Sequence, residues 1–452
     1  MRFGLESEKI IYDLKKHKIS SSAQRILEAL DDYKIIYGDD DVKRVTGEFV
    51  HHIIEMASSP SENIFEVVRD YLFSYDLVRD TCDRFHHKTL PIASYPAHLT
   101  PVMKSKWEYY IQNAILSQNL EIGWNLEPQH GLFPASNCAG VHMHVELDTL
   151  PEHLTFTAEL ADKFNLALSL APLVAFAASP YFIGKHSAVS MRAKSYFMGV
   201  YKNKPYGEIP PVFETSADIL KYFRHALLTW EKEGADLGLD PNELHRIYNK
   251  KGAAWNMVRW NRTWNTVEMR CFDTDFVGMD VGKFALCTSI LKRTDLQGEQ
   301  LQVQIIKVDK SMPVDEALKL HMANVLEVEN GKVNIFPTEL LHRIMNLAVE
   351  EGLSNDLVHA YIGKIFKLSR EKIDWKEEWL FETIAKSYEE RLSTADKILQ
   401  MTKNKPEINS EEAEPILEWA LAEEDHQFQE LREKLPRKFQ PPESHPFPKA
   451  IT

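Results

Sequence analysis

The chain has 452 residues, enough for one large domain or a large domain with an appendage. Its formal charge of −14 speaks against a nucleic-acid surface, which requires clustered Lys and Arg, so an anionic substrate must be met by local positive charge or by metal. Hydrophobic residues make up 44% of the chain and nine tryptophans are available to build a substantial core.

Four cysteines, at 82, 138, 271 and 287, form no CxxC pair, which points to a reducing compartment without structural disulfides. The opening MRFGLESEKI lacks the apolar core of a signal peptide. The longest apolar run, Leu166 to Ala178, is too short to span a bilayer. These features predict a soluble, cytoplasmic protein whose partners are small molecules, with no nucleic acid and no membrane among them.

In chain order, Arg2 to Lys9 reads as a strand in which Glu6 and Glu8 share a face with Gly4, opposite Phe3, Leu5 and Ser7. Two carboxylates on one face are either a solvated edge or a divalent-metal site. Ser20 to Tyr37 reads as a helix with serine caps, and Gly38 with the aspartates after it as a turn. Val42 to Met56 returns to strand character. There Glu55 stands among apolar neighbours, where a carboxylate is costly unless paired or bound to metal. The adjacent pairs His51/His52 and His86/His87 point in divergent directions and read as structural or exposed. Ser61 to His87 is a long helix, Leu90 to Ser94 a short strand, Ser105 to Leu120 a helix, and Gly123 to Ala135 a punctuated connection.

Ser136 to Asp148, SNCAGVHMHVELD, places His142 and His144 two residues apart on one strand face, with Gly140 leaving room for a close approach. By itself the pair fits an ordinary sheet surface as well as a site. Pro151 to Ala178 follows as one long helix capped by Asp148 or Thr149. A loop then alternates Ser190 and Arg192 with Val189 and Met191, and Ala217 to Gly234 is an amphipathic helix. Two strand-like runs from Trp255 to Phe276 set Glu268 and Arg270 on a shared face, either a cross-sheet ion pair or part of a site. After a short strand-like LQVQIIKV, helices are predicted near Val314 to Val325, Pro337 to Glu350, Asn355 to Leu368, Trp375 to Met401 and Glu411 to Leu435. The proline-rich end is a disordered tail.

Several separated strands thus each offer polar groups on one face. Such strands suit a sheet that gathers carboxylates and a histidine for a hard divalent cation and phosphate oxygens. FGLESE (Phe3 to Glu8), IIEMASSP (Ile53 to Pro60), GVHMHV (Gly140 to Val145), LAPLVAFAASPYFIGKHSAVSMR (Leu170 to Arg192) and NTVEMRCFDT (Asn265 to Thr274), in that order, resemble glutamate-cysteine ligase family 2, the carboxylate-amine ligases. The resemblance covers about residues 1 to 295. It departs from the family at SYPAH (Ser94 to His98), where Tyr95 replaces a histidine, and in the length of the helical tract after residue 300.

The resemblance implies an α+β fold with a curved antiparallel sheet of the glutamine-synthetase type and helices on its outer face. The corresponding organisation is a catalytic domain at 1–300, a helical appendage at 301–438 and a tail at 439–452. It further implies ATP-dependent joining of a carboxylate, the γ-carboxyl of glutamate, to an amine, cysteine, through an acyl phosphate, with Mg²⁺ or Mn²⁺. A different amino acid, peptide or small amine is the alternative, as is a non-catalytic nucleotide-binding relative. Glu6, Glu8, Glu55, His142 and Glu268 are the implied metal ligands, and Arg270 and Arg192 the implied catalytic cations. His144, Ser190 and Arg259 are implied to bind ATP or substrate. The appendage is expected to pack on the core, cover the cleft or support a homo-oligomer.

Overall fold

A computed structural model describes residues 1–37, 44–48, 50–97, 99, 102, 115, 137–182, 184–201, 203–251, 254–293, 300–370 and 378–439. The expected turn after Gly38, the connection at 123–135, most of the helix at 105–120 and the tail from 440 onward lie outside these residues.

The first strand, β1 (Phe3–Asp13), lies at the centre of an eight-stranded sheet. Around it are β2 (Lys18–Ile19), β3 (Val45–Gly47), β4 (Ile53–Ala57), β5 (His87–Leu90) and β6 (Gly140–Glu146). A small ribbon, β7 (Tyr181–Phe182) and β8 (Lys185–His186), stands apart, and β9 (Val258–Asn261) and β10 (Thr266–Asp273) complete the large sheet. The order β3-β4-β1-β6-β10-β9 is antiparallel at every pairing, with β2 and β5 joined to the far end of β1. Period-two alternation sends Phe3 and Leu5 into the core and Glu6 and Glu8 to the opposite face. The fold is a mixture of helices and antiparallel sheet. Helices Ile64–Arg84, Glu159–Leu170 and Val277–Leu291 pack against the large sheet.

Several expected elements are divided. The run from Pro151 to Ala178 is a 3₁₀ turn (Pro151–Phe156), an α-helix (Glu159–Leu170) and a second 3₁₀ turn (Ala171–Ala175). Thr157 is extended between the first two, and Pro172 lacks the N–H needed to continue the α-helix beyond Leu170. Leu150, and neither Asp148 nor Thr149, occupies the cap. The helix expected from Ser61 begins at Ile64, where the side chain of Asn63 accepts from Phe65 N, and ends at Arg84. His86, with φ of 57°, turns the chain into β5, so the strand expected over Leu90 to Ser94 instead spans His87 to Leu90. Val42 to Met56 yields two short strands instead of one. Trp375 to Met401 yields helices Glu382–Glu390 and Thr394–Met401, interrupted by left-handed Arg391 and restarted by a Ser393/Asp396 capping box.

After residue 300, a three-stranded sheet is formed by β11 (Gln302–Ile305), β12 (Val328–Glu329) and β13 (Lys332–Ile335). Helices Val314–His321, Thr338–Glu350, Asp356–Arg370 and Ser410–Lys434 accompany it. They pack on one another and on Val277–Leu291 and Ala171–Ala175 behind the large sheet, and buried residues from Phe3 to Phe439 form one contiguous cluster. Among the described residues no helix is long and apolar enough to cross a membrane.

Candidate active site

Strand register brings the polar residues together. Glu8 on β1 lies opposite Glu55 on β4, and Glu6 lies opposite His142 on β6. One step along, Gly4, His144, Glu268 and Arg259 form a row across β1, β6, β10 and β9. Side chains of like parity share a face, so five neighbouring strands contribute to one polar surface.

Two ligand groups emerge from it. Glu6, Glu55 and His142 place one donor atom each within 4.8 Å of one another, as do Glu8, Glu48 and Glu55. Glu55 belongs to both groups. Glu48 was not singled out from sequence; it follows Gly47 at the end of β3, and only the pairing of β3 with β4 brings it beside Glu55. The Nδ1 of His142 is 3.5 Å from Glu6 Oε2 and its Nε2 is 3.8 Å from Glu8 Oε1, while His144 Nε2 is 3.4 Å from Glu6 Oε2. Both Nε2 atoms are buried without a hydrogen-bond partner. Such a concentration of unneutralised carboxylate and imidazole donors suits a divalent cation with a preference for oxygen.

The electrostatics follow from this crowding. Burial pushes the Glu8 carboxyl up to about 8, and the charge of Glu48 adds to the effect. Glu55 is driven well above the ordinary carboxylate range by burial and by Glu6 and Glu48. Burial acts the same way on Glu6, but the His144 charge and the close approach of both histidines outweigh it and hold Glu6 below that range. His142 falls to about 4 because burial and the nearby Arg270 oppose its protonation, leaving a neutral imidazole able to act as a ligand.

Glu268 plays a different part from its neighbours. Its oxygens accept from Arg259 Nε at 2.8 Å and Nη2 at 3.1 Å, from Asn261 Nδ2 at 2.8 Å and from Arg270 Nη1 at 2.5 Å. Burial opposes its ionisation, yet the two guanidiniums keep it well below the usual range. In this arrangement Glu268 anchors two arginines at the rim of the carboxylate cluster and stands in neither ligand group. His144 Nδ1 pairs with Thr266 Oγ1 at 3.0 Å on the same rim.

Arg192 and Ser190 lie just beneath. The guanidinium of Arg192 donates to the carbonyls of Phe272 at 3.2 Å and Arg270 at 3.1 Å. It passes so close to Gly140 that an added Cβ would sit 2.2 Å from Nη2, which explains the glycine before the histidine strand. Gly140 N in turn donates to Glu8 Oε2 at 2.6 Å. The hydroxyl of Ser190 caps the helix Met191–Ser195 and donates to Asp273 Oδ1 at 3.1 Å, so it is committed to the scaffold. Tyr95 is buried with its backbone N and O bridged by the Asn137 side chain at 2.9 and 3.1 Å. His98 lies outside the described residues.

A helix-backed antiparallel sheet with carboxylates, histidines and arginines on one face defines a candidate centre for chemistry on anionic substrates. The sequence profile of glutamate-cysteine ligase family 2 matches residues 2–325, and the chain belongs to that family. Among solved structures it is similar to a glutamate-cysteine ligase from Francisella tularensis in complex with AMP, at 12% identity and a TM-score of 0.51, covering 97% of this chain and 90% of that one. It is also similar to a bifunctional glutathione synthetase from Pasteurella multocida, at 12% identity and a TM-score of 0.50, over 95% of this chain and 53% of that one. The chain thus spans about half the length of the Pasteurella synthetase. No curated protein matches it.

Proposed function

We propose that this chain joins the γ-carboxyl of glutamate to an amine, with cysteine the first candidate, at the expense of ATP. The observation that carries the proposal is the cluster of four carboxylates and a neutral histidine beside two anchored guanidiniums on one sheet face. In this reading residues 1–300 form the catalytic domain, with a sheet of the glutamine-synthetase type, and residues 301–438 a helical appendage. The Francisella ligase was solved with AMP, and an adenine nucleotide is the ligand we assign to the face of this sheet.

Mg²⁺ or Mn²⁺ is assigned to Glu6, Glu55 and His142, and to Glu8, Glu48 and Glu55. A divalent cation there supplies neutralisation of the charge that builds up between a carboxylate and a phosphate group. The residues do the rest. Arg270 is assigned to phosphate or substrate carboxylate oxygens, and Arg259, with Nε and Nη2 on Glu268 and Nη1 on the Ala254 carbonyl, braces Glu268 beside it. Arg192 fixes the carbonyls beneath Arg270 and so its direction, and His144 borders the same rim. The substrate carboxylate oxygen attacks the γ-phosphorus and ADP leaves. The amine nitrogen then attacks the acyl carbon, phosphate departs, and the amine gives up a proton. All four cysteines are buried and free, in keeping with a cytoplasmic setting.

The test is release of ADP by the purified chain with Mg²⁺, ATP and glutamate across a panel of amines. Cysteine is expected to stimulate release most. A different stimulating amine reassigns the second substrate, and no stimulation by any amine overturns the ligase reading.

A further inference from the structure

The reverse face of β1 carries a second charged assembly, unrelated to substrate. Lys9 directly follows Glu8 and points the other way. Its Nζ donates to Asp280 Oδ2 at 3.1 Å and lies 3.7 Å from Glu424 Oε1, with all three side chains almost wholly buried. Asp280 also accepts from Ser7 Oγ at 3.2 Å and from Asp275 N at 2.9 Å. Lys283 donates to the carbonyl of Asp273 at 2.9 Å and sits 3.5 Å from Asp275 Oδ2. Two of the groups that close this assembly come from the tract after residue 300. Thr394 Oγ1 donates to Asp275 Oδ1 at 2.7 Å, and Glu424 accepts from Val277 N at 2.8 Å and from the hydroxyl of Tyr75.

We propose that Glu424 and Thr394 are positioning residues for the site, through which the C-terminal helices set β1 and the end of β10. The assembly meets β1 on its reverse side, behind Glu6 and Glu8, and reaches β10, the strand that carries Arg270, through the backbone carbonyl of Asp273. β1 is bonded on that side at Ser7 and Lys9, the residues interleaved with Glu6 and Glu8, and β10 is bonded at Asp273 and its continuation. A strand residue cannot shift on one face without moving its neighbours on the other, because the backbone is common to both. Two cations and three carboxyls packed away from water hold one arrangement only while each keeps its partners. Removing the charge of Glu424 leaves Lys9 with one counter-charge fewer and frees β1 to relax.

This inference rests on the ligase reading for its catalytic consequence, but not for its structural one. The experiment compares the full chain with Glu424→Gln and with Thr394→Val, which keeps the shape and removes only the hydroxyl. Amide exchange of residues 3–13, Mn²⁺ binding followed by electron paramagnetic resonance, and the split of kcat from KM for ATP are measured for each. Faster exchange in β1 and Mn²⁺ affinity and kcat lower by about 10–100-fold, with KM little changed, are expected. Lys9→Met combined with Glu424→Gln removes both charges, and it is expected to recover part of the Mn²⁺ affinity lost in the single variant. Should Glu424→Gln fail to fold, Thr394→Val decides alone. Unchanged Mn²⁺ affinity and unchanged β1 exchange in a folded variant overturn the proposal. A wild-type chain that binds no Mn²⁺ overturns the ligase reading, and β1 exchange then decides the coupling on its own.

Discussion

Gly140 illustrates how one residue can be a requirement of the site without touching a substrate. Its missing side chain leaves the space that the Arg192 guanidinium fills, and its N–H holds Glu8. Gly140→Ala places a methyl group 2.2 Å from Arg192 Nη2, so the guanidinium must leave the carbonyls of Arg270 and Phe272. A displacement of that size behind a reacting group lowers turnover by about 100-fold. Steady-state kinetics of the purified variant measure it, and wild-type kcat sinks the account. Glu268 supplies a second test. Glu268→Gln is expected to lose about 100-fold in kcat through loosened Arg259 and Arg270 while Mn²⁺ affinity stays unchanged. Lost Mn²⁺ affinity instead makes Glu268 a metal ligand. The alternation of Glu6 with Glu8, and of His142 with His144, was legible in the sequence because the period of a strand is fixed. The pairing of Glu268 with Arg259 was not, since it depends on cross-strand register between β9 and β10.

Elements failed to be legible where a local rule was overruled by a neighbour. Leu166 to Ala178 is apolar enough to read as one buried helix, yet Pro172 ends it, and the chain then passes through Ala178 and Ser179 to reach Asp273. That aspartate, at the end of β10, accepts from Ser179 Oγ at 2.6 Å, Ala178 N at 3.0 Å and Ser190 Oγ at 3.1 Å. It therefore pins the loop that delivers Arg192. Replacing it by Asn turns one acceptor into a donor that faces other donors. Asp273→Asn is expected to destabilise the chain by about 1–3 kcal/mol, read from the shift of the urea unfolding curve. A curve that overlays the wild type removes Asp273 from this role. Glu48 was missed for a related reason: it sits at the end of a three-residue strand, and a strand so short leaves little periodicity to read.

At the scale of the whole molecule, the acidic cluster makes folding and metal binding compete with pH in a defined direction. Glu8, with its carboxyl raised to about 8, keeps a proton in the folded chain that it gives up on unfolding at pH values between the ordinary 4.5 and about 8. Glu55 is displaced in the same sense. The folded state therefore binds more protons than the unfolded one between those limits, and stability falls as pH rises through them. His142, lowered from 6.5 to about 4, acts in the opposite direction, because the unfolded chain carries its proton and the folded chain does not; its contribution rises with pH mainly between about 4 and 6.5 and tapers off above that. Above 6.5 that opposition fades and Glu8 and Glu55 dominate. His144 joins them, because its raised folded value means its contribution is also lost with rising pH. The melting temperature of the metal-free chain is thus expected to fall from pH 6.5 to 8. A cation bound by the ionised carboxylates favours the deprotonated folded state and adds stability by mass action, so saturating Mn²⁺ is expected to flatten or reverse that slope. Calorimetric scans at pH 6.5, 7.25 and 8, with and without Mn²⁺, provide the measurement. A metal-free melting temperature that rises across this range contradicts the charge assignment, and an equal slope with and without Mn²⁺ contradicts the assignment of these carboxylates to the metal.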